Sequence, residues 1–268
     1  MTTTTGPEGI SIESQDGVLR ITLDRPSRKN SLDPHAVRRI IAALEGAATD
    51  DALRVVVLTG SGADFCSGAD WVASNAAGTR PRTGSLQRRT ALQAHRLIEL
   101  LTGIQLPVVC AVRGWAAGLG FQLALAADFT IAAESACFWE PFLERGFSAD
   151  SGSTWLLPRL VGVARAKELL LLGRKLSGAE AAAWGIVHRA VPDGELESAT
   201  TALVEQLAGA ATVAVGLTKH CIQRALETGL VEAMQDESFA LELSSRTADF
   251  KEGLLAFKER RPARFTGQ

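Results

Sequence analysis

The sequence lacks several residue types and patterns that would point to particular kinds of function. It contains no tyrosine, so a phenolic acid or base is excluded from any active site. Its four cysteines are widely spaced and form no CxxC pair, which argues against both a disulfide framework and a zinc site. The net charge of −2 argues against nucleic acid as a partner, because phosphate binding requires a basic surface.

Long hydrophobic runs are missing as well. The apolar runs at 55–58 and 169–172 are far shorter than the roughly 20 residues of a transmembrane helix. Residues 1–9 are rich in Thr and Gly and carry neither the basic nor the apolar region of a secretory signal, so we expect a flexible N-terminal tail. These features predict a cytoplasmic protein that does not interact with a membrane.

The chain does contain ample apolar material, arranged in alternating strand-like and helix-like patterns. Hydrophobic residues make up 46% of 268 residues, enough for a large core. The runs at 54–59, 107–112 and 129–132 predict strands buried on both faces, and the helical patterns between them predict parallel pairing. We therefore predict an α/β fold with a core over 10–195 and a helical C-terminal region over 196–268.

Two segments rich in small residues follow predicted buried strands. They are 65–70 and 113–122, and each leads into a helix. Glycine lets the backbone approach a ligand closely, and the first N–H groups of a helix have no partner within it. Two such turns could direct one amide each at a single oxygen, as in an oxyanion hole. The alternatives are ordinary strand-to-helix turns or a dinucleotide loop, but the GxGxxG spacing of the latter is not met.

In their order and spacing, these segments resemble the crotonase family of enoyl-CoA hydratases and isomerases. The resemblance runs from about residue 10 to the C-terminus. It is carried by Arg25-Pro26, Asn30-Ser31-Leu32, Phe65-Cys66-Ser67-Gly68-Ala69-Asp70, Arg113-Gly114-Trp115-Ala116-Ala117-Gly118-Leu119-Gly120-Phe121-Gln122-Leu123, Ala126-Ala127-Asp128-Phe129, Leu157-Pro158-Arg159-Leu160-Val161-Gly162 and Phe257-Lys258-Glu259-Arg260-Arg261-Pro262.

The resemblance implies a spiral of repeated ββα units with a C-terminal helical region that mediates trimerisation. A homotrimer, or a hexamer built as a dimer of trimers, is the expected assembly. The implied substrate is an acyl-CoA thioester of the kind used in fatty acid metabolism. No metal is implied, and no cofactor beyond the CoA moiety of the substrate.

Site residues are implied by the same resemblance. The amides of Ala69 and Leu119 match the pair that binds the thioester oxygen; the family usually has glycine at the second position, but leucine keeps its N–H. Contacts to substrate or CoA are implied for Arg28, Lys29, Ser67, Gly68, Asp70, Gly118, Gln122, Phe142, Lys258 and Arg264.

The acid–base residues depart from the family pattern. Typical hydratases have two glutamates where this chain has Gln122 and Phe142, and neither side chain can take up a proton as a carboxylate does. Asp150 matches an aspartate that some isomerases use for proton transfer and that 4-chlorobenzoyl-CoA dehalogenases use as a nucleophile. We predict Asp150 as the proton-transfer group, although its position also suits a helix N-cap. Glu140 or Glu144 could take its place.

Three functions therefore remain open. The first is an enoyl-CoA hydratase/isomerase-type enzyme that stabilises a thioester enolate. The second is addition–elimination or hydrolysis with Asp150 as nucleophile and His95 assisting, although His95 also suits an ordinary helix position. The third is acyl-CoA binding without catalysis.

An irregular stretch over 71–89 contains four arginines. They are either solvated or part of a lid that contacts CoA phosphates: Arg80, Arg82, Arg88 and Arg89.

Overall fold

The computed structural model describes residues 2–5, 9–70 and 82–268. The strands are β1 (Thr2–Thr5), β2 (Ile10–Gln15), β3 (Val18–Leu23), β4 (Val55–Gly60), β5 (Val108–Val112), β6 (Trp115–Ala117), β7 (Phe129–Ala133), β8 (Cys137–Trp139), β9 (Leu176–Ser177) and β10 (Arg189–Val191). The helices are α1 (Pro34–Ala47), α2 (Ser85–Thr90), α3 (Arg96–Gly103), α4 (Leu119–Ala126), α5 (Ser153–Leu172), α6 (Gly178–Ala183), α7 (Leu196–Ala208), α8 (Thr212–Ala225), α9 (Leu230–Ser244) and α10 (Ala248–Glu259). A π-helical segment (Ala91–His95) joins α2 to α3, and short 3₁₀ turns lie at Pro26–Arg28, Leu143–Arg145 and Asp193–Glu195.

The main sheet contains seven of the described strands, in the order β1-β2-β3-β4-β5-β7-β10. The β1, β2 and β3 strands pair antiparallel, whereas β3, β4, β5, β7 and β10 run parallel. All four valine and leucine residues of β4 are fully buried, because helices cover both faces of a parallel sheet. The predicted α/β fold and its buried parallel strands are confirmed.

A smaller sheet carries the parts of the chain that matter most for function. It contains β6, β8 and β9, and single bridges continue it from Ala116 to Cys66 and from Ala69 to Leu32. The two glycine-containing turns therefore lie side by side along one edge of this sheet, each held by backbone hydrogen bonds.

The N-terminus differs from the flexible tail that we expected over residues 1–9. Thr2–Thr5 forms an antiparallel strand paired with β2, from Thr2 opposite Ser14 to Thr5 opposite Ser11. Without this strand, the outer edge of β2 would expose unpaired backbone groups. Threonine is also β-branched and favoured in strands, a signal that the tail-like composition obscured.

From Leu196 onward, every regular element is a helix. The α8 helix is attached to the core by Lys219, whose Nζ lies 2.7 Å from Asp128 Oδ2 and also donates to the carbonyl oxygens of Leu101 and Leu106. By contrast, α9 and α10 carry many exposed apolar side chains. Those at least half exposed are Leu230, Val231, Phe239, Leu241, Leu243, Leu254 and Phe257.

No single described helix is long and apolar enough to cross a membrane. Only the joined segments Asp193–Ala208 and Thr212–Ala225 have the length and apolar composition of a membrane span, and the chain bends by 103° between them.

Candidate active site

A cavity of about 230 Å³ lies where the two glycine-containing turns face the segment that precedes α5. Seven of the predicted site residues line it: Ser67, Gly68, Ala69, Gly118, Leu119, Phe142 and Asp150. Residues of α2 and of the π-helical segment complete one side of the cavity: Leu86, Arg89, Thr90, Gln93 and Ala94. Asp150 is the only carboxylate among the described residues of the lining.

The two turns are held together by backbone hydrogen bonds. Phe65 N donates to Arg113 O at 2.8 Å, Cys66 N donates to Trp115 O at 2.8 Å, and Ala117 N donates to Cys66 O at 2.9 Å. Gly120 has to be glycine for this contact, since an added Cβ would overlap the Cys66 carbonyl oxygen. The segments 65–70 and 113–122 therefore lie next to each other, as the sequence predicted.

Ala69 and Leu119 line the cavity, one from each turn. Leu119 is the first residue of α4, after Gly118 with φ of 50°, so its N–H has no acceptor within the helix. Neither the Leu119 nor the Ala69 N–H donates a hydrogen bond within the described residues. A Cβ placed on Gly68 would lie 3.4 Å from Leu119 N, which shows how closely the turns approach.

Asp150 is half-buried and precedes α5 without capping it. The helix begins at Ser153, its N-cap position is Gly152, and no side chain caps it. The N-cap alternative for Asp150 is therefore wrong, because the helix begins later than the sequence suggested. Burial raises the pKa of the Asp150 carboxyl, while a hydrogen bond with Ser151 and the nearby charge of His95 lower it less.

Comparison with known proteins agrees with this fold. The family model for enoyl-CoA hydratase/isomerase matches residues 13–268. The chain belongs to the enoyl-CoA hydratase/isomerase, or crotonase, family. The structure of enoyl-CoA hydratase from Bacillus anthracis superposes with a TM-score of 0.90 at 34% identity, covering 97% of this chain and 100% of that one. The predicted family and the crotonase fold are thus confirmed.

Curated relatives in this family have different activities. The chain is 38% identical to 1,2-epoxyphenylacetyl-CoA isomerase of Escherichia coli over 95% of this chain and 97% of that protein. It is also 38% identical to a probable enoyl-CoA hydratase of Rhodobacter capsulatus, over 97% of this chain and 98% of that protein. With 4-chlorobenzoyl coenzyme A dehalogenase-2 of an Arthrobacter species it shares 33% identity over 94% of this chain and 91% of that protein.

The crotonase cavity of this chain has an apolar wall next to Asp150. Phe142 is 4% exposed, and its ring packs edge-on against Phe147 with 5.6 Å between centroids. Gln122 lies behind the wall, fully buried, and its Nε2 donates to Glu140 Oε2 at 3.4 Å. These two positions therefore place no carboxylate in the cavity.

The two other glutamates that we considered as bases do not line the cavity. Glu140 is 1% exposed, and burial together with the negative charge of Asp150 raises its pKa well above the usual value. Glu144 is exposed in the 3₁₀ turn that follows Phe142. Asp150 is therefore the one carboxylate of the described cavity lining.

His95 lies at the end of the π-helical segment, exposed and outside the cavity lining. Its charge nevertheless lowers the pKa of Asp150, so the two side chains are near enough to interact. The structure thus places His95 outside the cavity lining but close enough for its charge to act on Asp150.

Several residues that we assigned to CoA or substrate are occupied elsewhere or lie outside the cavity lining. Asp70 accepts from Arg25 Nη2 at 3.3 Å, and Arg25 also bonds Asp33 and the Ser31 carbonyl oxygen. The Arg28 carbonyl oxygen accepts from Ser67 Oγ at 3.3 Å. Lys29 Nζ lies 5.4 Å from the centre of the Trp115 ring. Lys258 and Arg264 are exposed and lie at the end of α10 and after it.

The sequence analysis did not predict Arg145 as a residue of the cavity. It lines the cavity, and its guanidinium lies 5.9 Å from the Trp139 ring centre. Of the four arginines singled out, Arg89 lines the cavity, Arg82 and Arg88 are exposed outside its lining, and Arg80 lies outside the described residues. The only sequence signal for Arg145 was its place between Phe142 and Asp150.

A larger groove, of about 740 Å³, lies between β7, α5 and α8. Its walls are mostly apolar; of the three charged residues in its lining, Asp128 and Lys219 are bonded to each other, and Arg159 is the third. It contains none of the predicted site residues. Within the described part of the chain, no three His, Cys, Asp or Glu side chains are grouped as a metal site requires.

Proposed function

We propose that this crotonase moves a proton on an acyl-CoA thioester, with Asp150 as the base and the amides of Ala69 and Leu119 binding the thioester oxygen. The observation that carries the proposal is that Ala69 and Leu119 line one cavity, of which Asp150 is the one described carboxylate. The substrate brings its own CoA group, and the chemistry requires no other cofactor.

The residues support a simple sequence of steps. Asp150 removes a proton from the acyl chain, and negative charge develops on the thioester oxygen. The two N–H groups stabilise that charge, which is commonly the largest single contribution in this type of chemistry. The protonated Asp150 then returns the proton to another carbon, and the double bond has moved.

Hydration fits the cavity less well than isomerisation. Adding water across a double bond requires groups that hold the water and exchange its protons. In this chain the positions of the two hydratase glutamates hold Gln122 and Phe142, and neither exchanges protons.

Isomerisation is tested with a 3-enoyl-CoA in heavy water. The expected result is a 2-enoyl-CoA without formation of a hydroxyacyl-CoA, as followed by mass spectrometry; deuterium enters the product only where the proton on Asp150 exchanges with solvent before it is returned. Rapid formation of the hydroxyacyl product would instead show a hydratase. No turnover of any acyl-CoA would favour the third alternative, binding without catalysis.

A dehalogenase-like reaction is the second candidate, because His95 lies near Asp150 and dehalogenases are among the relatives. In that reaction the Asp150 carboxylate attacks a carbon of the acyl group that carries a leaving group such as chloride. An ester to Asp150 forms as the chloride departs, and water then hydrolyses the ester and frees the carboxylate. Mass spectrometry of single-turnover samples would show an added mass on the peptide that contains Asp150. An unmodified peptide together with normal turnover supports proton transfer.

Arg89 is the arginine of α2 placed to contact a substrate phosphate or another anionic group. It lines the cavity, whereas its neighbour Arg88 does not. Arg89→Ala is therefore expected to weaken acyl-CoA binding roughly 2- to 5-fold, the scale of an exposed ion pair. Calorimetry at two salt concentrations measures this, and the difference should shrink at high salt. Arg88→Ala is the matched control; equal losses in both variants would assign the effect to general surface charge.

The expected assembly is a homotrimer, or a hexamer made from two trimers, in the cytoplasm. Support comes from the exposed apolar side chains of α9 and α10, which include Phe239, 73% exposed, and Phe257, 86% exposed. Large exposed apolar patches commonly mark association surfaces. Light scattering coupled to gel filtration gives the mass directly, and a monomer at micromolar concentration would contradict this expectation.

A further inference from the structure

Two polar side chains are buried together behind the cavity wall. Gln122 and Glu140 are 0% and 1% exposed, and Gln122 Nε2 donates to Glu140 Oε2. The remaining oxygen of each, Gln122 Oε1 and Glu140 Oε1, is buried without a hydrogen-bond partner in the described structure. An amide oxygen and an ionised carboxylate both accept only, so neither can satisfy the other.

We propose that Glu140 keeps its proton at neutral pH and forms an acid–amide pair with Gln122. In this pair Glu140 Oε1–H donates to Gln122 Oε1, while Gln122 Nε2–H donates to Glu140 Oε2. A single proton therefore satisfies both of the unpartnered oxygens. An ionised Glu140 would leave both unsatisfied in a buried site, which is costly.

The electrostatic surroundings of Glu140 favour the same state. Burial is the main reason that its pKa is raised, and the negative charge of Asp150 raises it further, while the hydrogen bond from Gln122 Nε2 lowers it by less than these two effects raise it. Asp150 in turn lies near His95, and the neighbouring Glu144 and Arg145 are exposed to solvent. Once Asp150 is ionised, a second charge at Glu140 is disfavoured, so the two carboxyl groups differ in protonation.

The pair connects the two sides of the cavity. Gln122 is in the first turn of α4, three residues after Leu119, and Glu140 directly precedes Pro141 and Phe142 of the wall. The hydrogen bond from Gly118 N to Trp139 O, at 2.9 Å, holds the same two segments beside it. Glu140 is therefore a positioning residue for the Leu119 amide. This catalytic consequence rests on the proposed function, whereas the proton on Glu140 does not.

Infrared difference spectroscopy tests the proton without turnover. Wild type at pH 7 is expected to show the carbonyl band of a protonated carboxylic acid, and Glu140→Gln is expected to lose it. The band should survive in Asp150→Asn and in Glu144→Gln, which are the controls for other carboxyl groups of this region. A wild type without the band, or a band that persists in Glu140→Gln, overturns the proposal.

The pH dependence of unfolding provides a second test. The folded state holds the Glu140 proton more tightly than the unfolded state, whose glutamate pKa is about 4.3. The stability from this proton is therefore complete below that pH and is lost as pH rises toward the folded pKa. Relative to Glu140→Gln, the wild-type folding equilibrium constant should fall by a factor approaching about ten per pH unit in that window. A difference independent of pH overturns the proposal.

Turnover tests the positioning role. Glutamine can form the same two hydrogen bonds with Gln122, so Glu140→Gln should lose less of kcat than Glu140→Ala. We expect a gap of about tenfold between them, with a smaller gap in the affinity for acyl-CoA. Equal kcat losses would remove the positioning role. A wild type inactive on every acyl-CoA would contradict the proposed function, and the infrared and unfolding results would still decide on the proton.

Discussion

Replacement of Asp150 by asparagine is expected to lower kcat by about 10²-fold or more, the usual scale for a lost general base. Asparagine has nearly the same shape, so the Phe142 wall and the cavity should keep their form. Deuterium exchange into a bound acyl-CoA should fall in parallel with kcat, because both depend on the same proton transfer. Stopped assays analysed by mass spectrometry measure both rates.

Glu144→Gln is the matched control for that experiment. It also removes a carboxylate from the segment before α5, but Glu144 is exposed and lies outside the cavity lining. If Asp150→Asn exchanges and turns over like wild type, the assigned base is incorrect. Loss of activity in both variants would point to the net charge of the segment instead.

The pH dependence of wild type should report the same group. Asp150 acts as a base only when ionised, and burial raises its pKa. We therefore expect kcat to rise with pH through that raised pKa and then to level off. Asp150→Asn should abolish this step. It should also be at least as stable as wild type at pH 7, since ionisation of a half-buried carboxyl disfavours the folded state.

Much of the fold could be predicted because its signals are local. The β4 strand is a run of β-branched residues, and the turns at Gly68 and Gly118 have positive φ angles, which favour glycine. The order and spacing of these turns carried the family resemblance. Local sequence therefore determined both where the strands lie and where the two turns that line the cavity occur.

Other features depend on packing between distant segments. The pairing of Thr2–Thr5 with β2 and the contribution of α2 to the cavity are tertiary outcomes, with weak local patterns. The burial of Glu140 also depends on tertiary packing, because its hydrogen-bond partner Gln122 is 18 residues away along the chain. Arg145 was equally hidden, since nothing in its local sequence distinguishes a cavity arginine from a solvated one.

The departures from the family pattern acquire a physical interpretation once these contacts are known. A glutamate at 122 would place a second carboxylate against Glu140, and two buried acids would compete for ionisation. Glutamine at this position instead offers both a donor and an acceptor to one protonated acid. Gln122 and Glu140 are thus complementary, and Asp150 is left as the group that can ionise in the cavity.

The Leu119 amide should contribute on a similar scale to the base. Leu119→Pro removes that N–H, and losing one donor of an oxyanion hole typically lowers kcat by about 10²- to 10³-fold. Leu119 is the first residue of α4, a position that proline tolerates because its N–H has no partner within the helix. The variant should therefore fold, which circular dichroism can verify.

Leu119→Ala separates the role of the backbone from that of the side chain. It keeps the N–H and removes most of the side chain of Leu119, a residue of the cavity lining. If the amide binds the thioester oxygen, Leu119→Ala should change mainly KM, whereas Leu119→Pro should lower kcat with acyl-CoA affinity less affected. This contrast follows from where the charge develops, because the N–H stabilises the enolate more strongly than the neutral thioester. A folded proline variant with the kcat of wild type would contradict the assigned role of this amide.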